Sequence, residues 1–132
     1  ACHIEIERLH APIGKQDQYI TVYGGITSFV FQKNGQVIAQ PLQFSIQTLF
    51  EVEDQLLLFF TGFSRSAVSI LKEEYTLLTN DQEMLNNLHY VKELGYRSKE
   101  ALELGNTQHF GELMHSIGSI KKRRSGGMSN SQ

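Results

Sequence analysis

The sequence lacks the features that mark secreted and membrane-spanning proteins. Its only cysteine is Cys2, so no disulfide can form within the chain, and we expect a reducing, cytoplasmic location. No apolar run approaches the roughly 20 residues that a membrane-spanning helix needs. The N-terminus has neither a basic nor an apolar segment, so we expect no signal peptide. A membrane is therefore not an expected partner.

Charge and metal-ligand patterns are also weak. The formal net charge is -2 at pH 7, so no overall field attracts nucleic acid. One basic run, at 121–124, is predicted to end a helix, where cations suit the helix dipole, and no aromatic residues are interleaved with it. His109 and His115 are six residues apart and do not share a helix face well. We therefore predict neither a nucleic-acid partner nor a histidine metal site.

The composition is that of a soluble globular protein. The chain has 132 residues, of which 40% are apolar and 20% are charged, enough for one ordinary domain or a piece of a larger one. No initiator methionine is present, residues 4–9 read like the middle of an element, and the chain stops abruptly at 129–132. We expect a fragment of a longer protein, although a processed or tagged chain would look similar.

The first third of the chain predicts a helix and a β-hairpin. A run without helix breakers leads into two glycines, which favour the end of a helix. Asn34-Gly35 is a strong two-residue turn signal, because both residues tolerate a positive φ. The predicted elements are a helix end or a strand at 1–9, a helix at 15–23, and strands at 26–32 and 36–40.

The rest of the chain is predicted to be mostly helical, which makes the fold class α+β. Apolar residues at helical spacing indicate amphipathic helices, and Ser, Asp and Asn residues are placed to cap them. Whether residues 98–102 continue one of these helices or begin another stays open. The predicted elements are a polar connection at 49–55, an apolar strand at 56–61, and helices that begin near Ser66, Asp81 and Asn106. The predicted apolar faces comprise Val68, Leu71, Tyr75 and Leu78; Met84, Leu85, Leu88 and Val91; and Phe110, Leu113, Met114 and Ile117.

The most informative stretch is the Pro/Gly loop at 12–15 that leads into Asp17. It delivers a carboxylate to the first turn of a helix, where unpaired N–H groups and the positive dipole end stabilise the ionised form. Lys15 acts in the same direction. Such a carboxylate can orient a hydroxyl that attacks a phosphoryl group, a reaction that depends mostly on positioning and charge. The alternative is a purely structural capping aspartate, the commoner use of Asp at such a site.

This stretch resembles the catalytic-aspartate loop of the GHMP (galactokinase, homoserine kinase, mevalonate kinase) superfamily of small-molecule kinases. Ile-Glu-Ile-Glu-Arg-Leu at 4–9 and Ile-Gly-Lys-Gln-Asp-Gln-Tyr at 13–19 form the pattern of the bacterial D-glycero-D-manno-heptose 7-phosphate kinases. The resemblance continues at 57–62, 65–67, 110–115, 121–122 and 129–130. It implies a two-domain GHMP kinase fold, with 1–45 ending the N-terminal domain and 46–132 beginning a mainly helical C-terminal domain.

The resemblance also implies roles for individual residues. Asp17 takes the role of catalytic base or orienter of the sugar hydroxyl, with Lys15 beside it. Glu7 falls near the Mg²⁺-ligand glutamate of the family, and Glu5 is its rival; the alternative for Glu7 is a solvated helix charge. The implied substrate-binding residues are Gln18, Tyr19, Thr61, Gly62, Arg65 and Ser66.

The turn at 61–66 has a physical reason to bind the distal phosphate of a substrate. Helix N-termini bind anions, and the guanidinium of Arg65 offers a bidentate fork. Pairing of Arg65 with a carboxylate is the structural alternative.

The phosphate-binding loop of these kinases is missing. The resemblance implies ATP and Mg²⁺ as cofactors, and the family holds ATP with a Gly/Ser-rich loop that precedes the aspartate loop. Only 16 residues precede Asp17 here, and none forms such a loop. The glycine-rich motif expected near the C-terminal end of the family is also absent. We therefore expect that these 132 residues alone do not turn over ATP.

Several functions follow from this pattern. The leading hypothesis is a fragment of an ATP-dependent sugar kinase that phosphorylates the anomeric hydroxyl of a heptose 7-phosphate. A kinase for another sugar, such as fucose, would share the scaffold residues. A non-catalytic sugar-phosphate-binding or interaction domain and an unrelated α+β domain would also fit the residues. The expected partners are a sugar phosphate and, because an incomplete sheet exposes an unpaired edge, a second copy or the missing part of the kinase.

Overall fold

A computed structural model describes residues 1–11, 13–60, 62 and 82–124, and for 122–124 it describes the backbone alone. The chain divides into two compact units, Ala1–Gln43 and Phe44–Gln132. The class is α+β, as the sequence predicted, with one antiparallel hairpin and several helices. None of the helices in the described ranges is both long enough and apolar enough to cross a membrane.

The first unit begins with a helical turn and continues through a helix into the hairpin. The open question at 1–9 is resolved as helical, since His3–Arg8 forms a π-helix. Helix α1 spans Gln16–Tyr23 and confirms the predicted helix; the N–H of Gly24, the residue that ends it, donates to the carbonyl of Ile20 at 2.8 Å. Strands β1 (Thr27–Phe31) and β2 (Val37–Pro41) confirm the predicted hairpin.

The hairpin turn has the geometry that its sequence predicts. Gly35 has a φ of 85°, a conformation that is strained for residues with a Cβ. The Asn34 side chain braces the turn, because its Oδ1 accepts from the N–H of Gln36 at 3.0 Å. The strands pair in the register Thr27↔Pro41 through Phe31↔Val37, so alternate residues of β1 share a face.

Aromatic rings hold α1 against the hairpin. The ring of Tyr19 lies edge-on to the rings of Phe29 and Phe31, at centroid distances of 5.9 and 5.8 Å. Tyr23 meets Phe29 in the same way at 5.6 Å. Edge-to-face pairs at these distances are favourable beyond their buried area. Because none of the described residues of this unit is fully buried, this cluster is its principal packing.

The prediction of a polar connection at 49–55 is wrong. Helix α2 spans Ile46–Gln55 and is capped by Ser45, whose Oγ accepts from the N–H of Thr48 at 3.0 Å. Thr48 and Val52, four residues apart, are its buried residues. The polar residues of this segment suggested a connection, but Glu53 and Asp54 are exposed and Glu51 is half-buried on a helix whose buried residues form one narrow face.

The prediction of a strand at 56–61 is also wrong for the residues that the structure describes. Residues 56–60 form neither helix nor strand, and all five of their apolar side chains are exposed. A strand needs a neighbour to satisfy its N–H and C=O groups, and the described strands pair only with each other. Thr61 and the helix predicted to begin near Ser66 lie outside the described residues, as does Asp81.

The core of the second unit lies between two long helices. Helix α3 spans Gln82–Glu103 and runs unbroken through 98–102, and helix α4 spans Thr107–Arg124. Leu94, Ala101 and Leu113 form the buried centre. The half-buried apolar residues packed against this centre are Phe110, Ile117 and Ile120.

The predicted faces of these helices are right in part. Met84 and Leu113 are buried, and Leu88 and Val91 are half-buried. Leu85 and Met114 were assigned to the same faces but are exposed, because each lies one residue beyond the narrow line of contact.

One turn ends α3 and begins α4. The N–H of Asn106 donates to the carbonyl of Ala101 at 2.8 Å, and that of Gly105 donates to Leu102 at 3.0 Å. This is the bond pattern of a Schellman motif, and Gly105 supplies the positive φ, at 73°. The Asn106 side chain then caps α4, since its Oδ1 accepts from the N–H of His109 at 3.0 Å. The sequence predicted this start correctly.

Truncation of Leu94 should destabilise the second unit strongly. Its side chain is 1% exposed, so Leu94→Ala leaves a cavity and should cost about 2–5 kcal/mol. Leu104→Ala is the matched control, because Leu104 is 75% exposed and its truncation should cost less than about 0.5 kcal/mol. Urea unfolding followed by circular dichroism measures both. Equal losses in the two variants would contradict this assignment of the core.

The exposed apolar residues at 56–60 should cause self-association. Leu58 and Phe60 are fully solvent-exposed, and contiguous apolar surface of this kind favours association. The double variant Leu58→Lys, Phe60→Lys should shift the chain toward the monomer in size-exclusion chromatography. Leu104→Lys, which alters an isolated exposed leucine, should not. A wild-type chain that stays monomeric at every concentration would refute the expectation.

Candidate functional site

Asp17 lies in the first turn of α1 with an exposed side chain. The capping position itself is occupied by Lys15, whose side chain makes no capping hydrogen bond. The carboxylate of Asp17 makes no hydrogen bond or ion pair with another described residue. It therefore keeps its acceptor capacity for a molecule outside the described chain, next to the N–H groups of the first turn.

The loop before α1 is held in an uncommon conformation. His10 has a φ of 50°, which residues other than glycine seldom adopt. The N–H of Ala11 donates to the carbonyl of Glu5 at 2.9 Å, which joins the loop to the π-helix. π-Helical turns are rare and are frequent at functional sites. This loop connects the π-helix that contains Glu5 and Glu7 to the helix that contains Asp17.

The two rival metal ligands have different surroundings. Glu7 is exposed, and its Oε2 lies 2.7 Å from Nδ1 of His3. Glu5 is half-buried, and its Oε2 accepts from Nε2 of Gln18 in α1 at 2.7 Å. Glu5 is thus the acidic residue that contacts the helix carrying Asp17. A hydrogen bond from a neutral amide orients the carboxylate without neutralising it.

The donor chemistry of Glu5 fits Mg²⁺. In phosphoryl-transfer sites this ion is usually held by one or two carboxylates together with substrate phosphates and water. Within the described ranges no three His, Cys, Asp or Glu residues come together as a metal site. One oriented carboxylate is the protein ligand expected of a magnesium site in which substrate phosphates and water supply the other ligands. A site made of protein ligands alone would need more such residues.

Gln18 and Tyr19 line one cleft of about 310 Å³, together with Cys2, His3 and Tyr23 among others. The Oε1 of Gln18 is buried and has no hydrogen-bond partner among the described residues, while the Nε2 of the same amide donates to Glu5. The Tyr19 ring is engaged in the aromatic cluster. Asp17 does not line this cleft, although Gln18 follows it directly in the sequence.

Of the turn predicted to hold the distal phosphate, the structure describes only Gly62, which has a φ of 73°. Thr61, Arg65 and Ser66 lie outside the described residues. Their roles, and those of Asp17, Lys15, Glu7, Gln18 and Tyr19, stay predictions.

Two of the described histidines form pairs with glutamates at the surface. His3 pairs with Glu7, as above, and Nδ1 of His109 lies 3.3 Å from Oε2 of Glu112. The hydrogen bond from His109, and after it that from Gln108, lowers the pKa of the Glu112 carboxyl. Glu112 is exposed, so this pair has little influence on stability.

Sequence reasoning missed two features of this region. The Glu5–Gln18 bond joins residues 13 apart in different elements, and no local spacing rule connects them. A second cleft, of about 420 Å³, lies between the loop at 14–16 and the hairpin turn. The Asn34-Gly35 turn signal is the one sequence feature related to it, because that turn forms a wall of the cleft.

Comparison with known proteins gives one informative relative. Over 102 residues the chain is 34% identical to the D-glycero-alpha-D-manno-heptose 7-phosphate kinase of Campylobacter jejuni. The chain is similar to a heptose 7-phosphate kinase. The alignment covers 77% of this chain, which spans 30% of the length of that relative. No known family profile and no solved structure matches the chain.

The Glu5–Gln18 bond should contribute measurable coupling. Hydrogen bonds to charged groups contribute about 1.5–3 kcal/mol, so Glu5→Ala and Gln18→Ala should be coupled by roughly 0.5–3 kcal/mol in a double-mutant cycle. Urea unfolding followed by the amide NMR signals of 16–23 measures it. Glu7→Ala with Gln18→Ala is the control cycle, and its coupling should be near zero. Equal coupling in both cycles would contradict the assignment of Glu5, and not Glu7, as the partner of Gln18.

Proposed function

We propose that this chain is the substrate-side section of an ATP-dependent kinase that phosphorylates the anomeric hydroxyl of a heptose 7-phosphate. The observation that carries the proposal is the 34% identity to the Campylobacter jejuni enzyme over 77% of the chain. The exposed, unpaired carboxylate of Asp17 on the first turn of α1 supports it. The membership in the GHMP superfamily belongs to the same proposal and rests on the aspartate-loop motif.

Asp17 acts on the attacking hydroxyl in this proposal. Its carboxylate accepts a hydrogen bond from the anomeric hydroxyl and orients the oxygen toward the γ-phosphorus of ATP. It takes the proton as the new O–P bond forms and the bond from the γ-phosphorus to the bridging oxygen breaks, with ADP as the leaving group. The free N–H groups of the first turn lie at the same end of α1, and Lys15 occupies the capping position two residues before Asp17. Because the carboxylate makes no bond to the described chain, it reaches the hydroxyl without first breaking an internal contact.

In this proposal Glu5 is the Mg²⁺ ligand and Gln18 orients it. Bound Mg²⁺ supplies charge neutralisation for the phosphates of ATP. We assign its carboxylate ligand to Glu5 in preference to Glu7, because Gln18 orients Glu5 toward α1 while Glu7 points its oxygen at His3. Gln18 therefore has a positioning role as well as a place in the cleft of about 310 Å³.

A second candidate function is a non-catalytic sugar-phosphate-binding domain. One observation favours it: the 132 residues contain no Gly/Ser-rich loop able to wrap a triphosphate. The kinase proposal assigns that loop to polypeptide beyond these residues, which fits a chain that spans 30% of its relative.

The variant Asp17→Asn tests the kinase proposal. In the complete polypeptide that the natural reading frame encodes, it should lower kcat for phosphate transfer from ATP by roughly 10²–10⁴-fold, because the amide cannot accept the proton. A coupled assay with D-glycero-D-manno-heptose 7-phosphate measures this, and Asp54→Asn, which alters an exposed carboxylate of α2, is the control.

Two further results sharpen the outcome. The 132 residues alone should show no turnover, and a panel that includes fucose should show preference for the heptose phosphate. An Asp17→Asn enzyme with the normal rate would refute the proposed role of Asp17. Sugar-phosphate binding without turnover in the complete polypeptide would favour the second candidate.

A further inference from the structure

The cleft of about 420 Å³ lies entirely within the first unit. One wall is the loop that precedes Asp17, with Lys15 and Gln16, and the other is the hairpin turn, with Phe31, Gln32 and Gln36. Its volume is in the range of small-molecule sites. It is separate from the cleft that contains Gln18, and the two share no lining residue.

The polar lining of this cleft consists of three amides and one ammonium group. The side chains of Lys15, Gln16 and Gln32 make no hydrogen bond with another described residue. The amides of Gln16 and Gln32 each offer a donor and an acceptor side by side, and this matches two neighbouring hydroxyl groups of a polyol. No carboxylate lines the cleft, so nothing in the lining repels an anionic ligand.

Gln36 is held in place before any ligand arrives. Its Oε1 accepts from Nδ2 of Asn34 at 3.1 Å, and its own N–H donates to Oδ1 of Asn34 at 3.0 Å. The Nε2 group of Gln36 is left without a partner among the described residues. A donor fixed in this way costs little conformational entropy when it binds, which favours recognition.

Phe31 provides an apolar surface in the same cleft. It is 45% exposed although its ring is held by Tyr19 at 5.8 Å and by Phe29 at 6.3 Å. A rigid, half-exposed ring beside polar amides can pack against the C–H face of a sugar while the amides bind its hydroxyls.

We infer that this cleft binds the hydroxyl-bearing part of a sugar phosphate, with the glutamine amides on the hydroxyls and Phe31 against the carbon skeleton. The inference rests on the proposed function and deepens it, because it places the substrate between the hairpin turn and the loop that precedes Asp17. Gln32 and Gln36 then determine which polyol is accepted, and Lys15 contacts the ligand from the opposite wall.

Titration of the ¹⁵N-labelled 132-residue chain with D-glycero-D-manno-heptose 7-phosphate tests the inference. The amide NMR signals of 14–16 and 31–36 should shift, and those of α3 and α4 should not. The double variant Gln32→Ala, Gln36→Ala should weaken binding by roughly 10-fold, because it removes two hydrogen-bonding groups. Gln43→Ala removes an exposed glutamine at the end of the same unit and should leave the affinity unchanged.

The controls decide what kind of site the cleft is. Inorganic phosphate at the same concentration should not reproduce the shifts, and equal shifts with phosphate would overturn the polyol assignment in favour of a simple anion site. Heptose phosphate that leaves 14–16 and 31–36 unshifted would overturn the inference. Retained hairpin signals in the double variant separate lost binding from lost folding.

Kinetics in the complete polypeptide separate this inference from the proposed function. If both hold, the double variant raises KM for the heptose phosphate roughly 10-fold with kcat unchanged. Normal phosphate transfer with an unchanged KM in the double variant would refute the inference and leave the proposed function standing. Binding in the cleft without transfer to any sugar would refute the proposed function and support the inference.

Discussion

The edge-to-face packing of Tyr19 on Phe29 and Phe31 is the contact on which the arrangement of the first unit depends. It seats α1 on the hairpin and so sets where the loop before the helix, and Asp17 within the first turn, stand relative to the hairpin turn. The unit has no fully buried residue among those described, so these rings replace a core. A site built on so small a scaffold depends on ring geometry more than on hydrophobic burial.

Elements with strong local signals were predictable from the sequence. The Asn34-Gly35 turn, the glycine stop after α1 and the Asn106 cap of α4 each depend on a few neighbouring residues, and the structure confirms them. The segments at 49–55 and 56–60 were predicted wrongly because their structure depends on the tertiary contacts that they make or lack. A buried pair such as Thr48 and Val52 makes a polar segment helical, whereas an apolar segment without a pairing partner does not become a strand.

Only the part of the candidate site that depends on neighbouring residues in the sequence was predictable. A Pro/Gly loop before a helix indicates that Asp17 lies on the first turn, and the structure has it there. The bond from Gln18 to Glu5 and the cleft against the hairpin turn come from tertiary packing, which no spacing rule describes. The likeness to a heptose 7-phosphate kinase suggests a type of reaction. The local sequence pattern identifies the side chains that are available for it.

The amide of Gln18 has a fixed polarity. If the amide rotated by half a turn, its oxygen would face the carboxylate of Glu5 and the two would repel each other. The carboxylate therefore keeps the nitrogen on its own side and the buried oxygen on the opposite side. Because the oxygen cannot exchange places with the nitrogen, this buried position offers an acceptor and never a donor. The acidic neighbour thus sets the hydrogen-bond polarity of a buried position through a neutral side chain, although the carboxylate itself contacts only the other end of that amide.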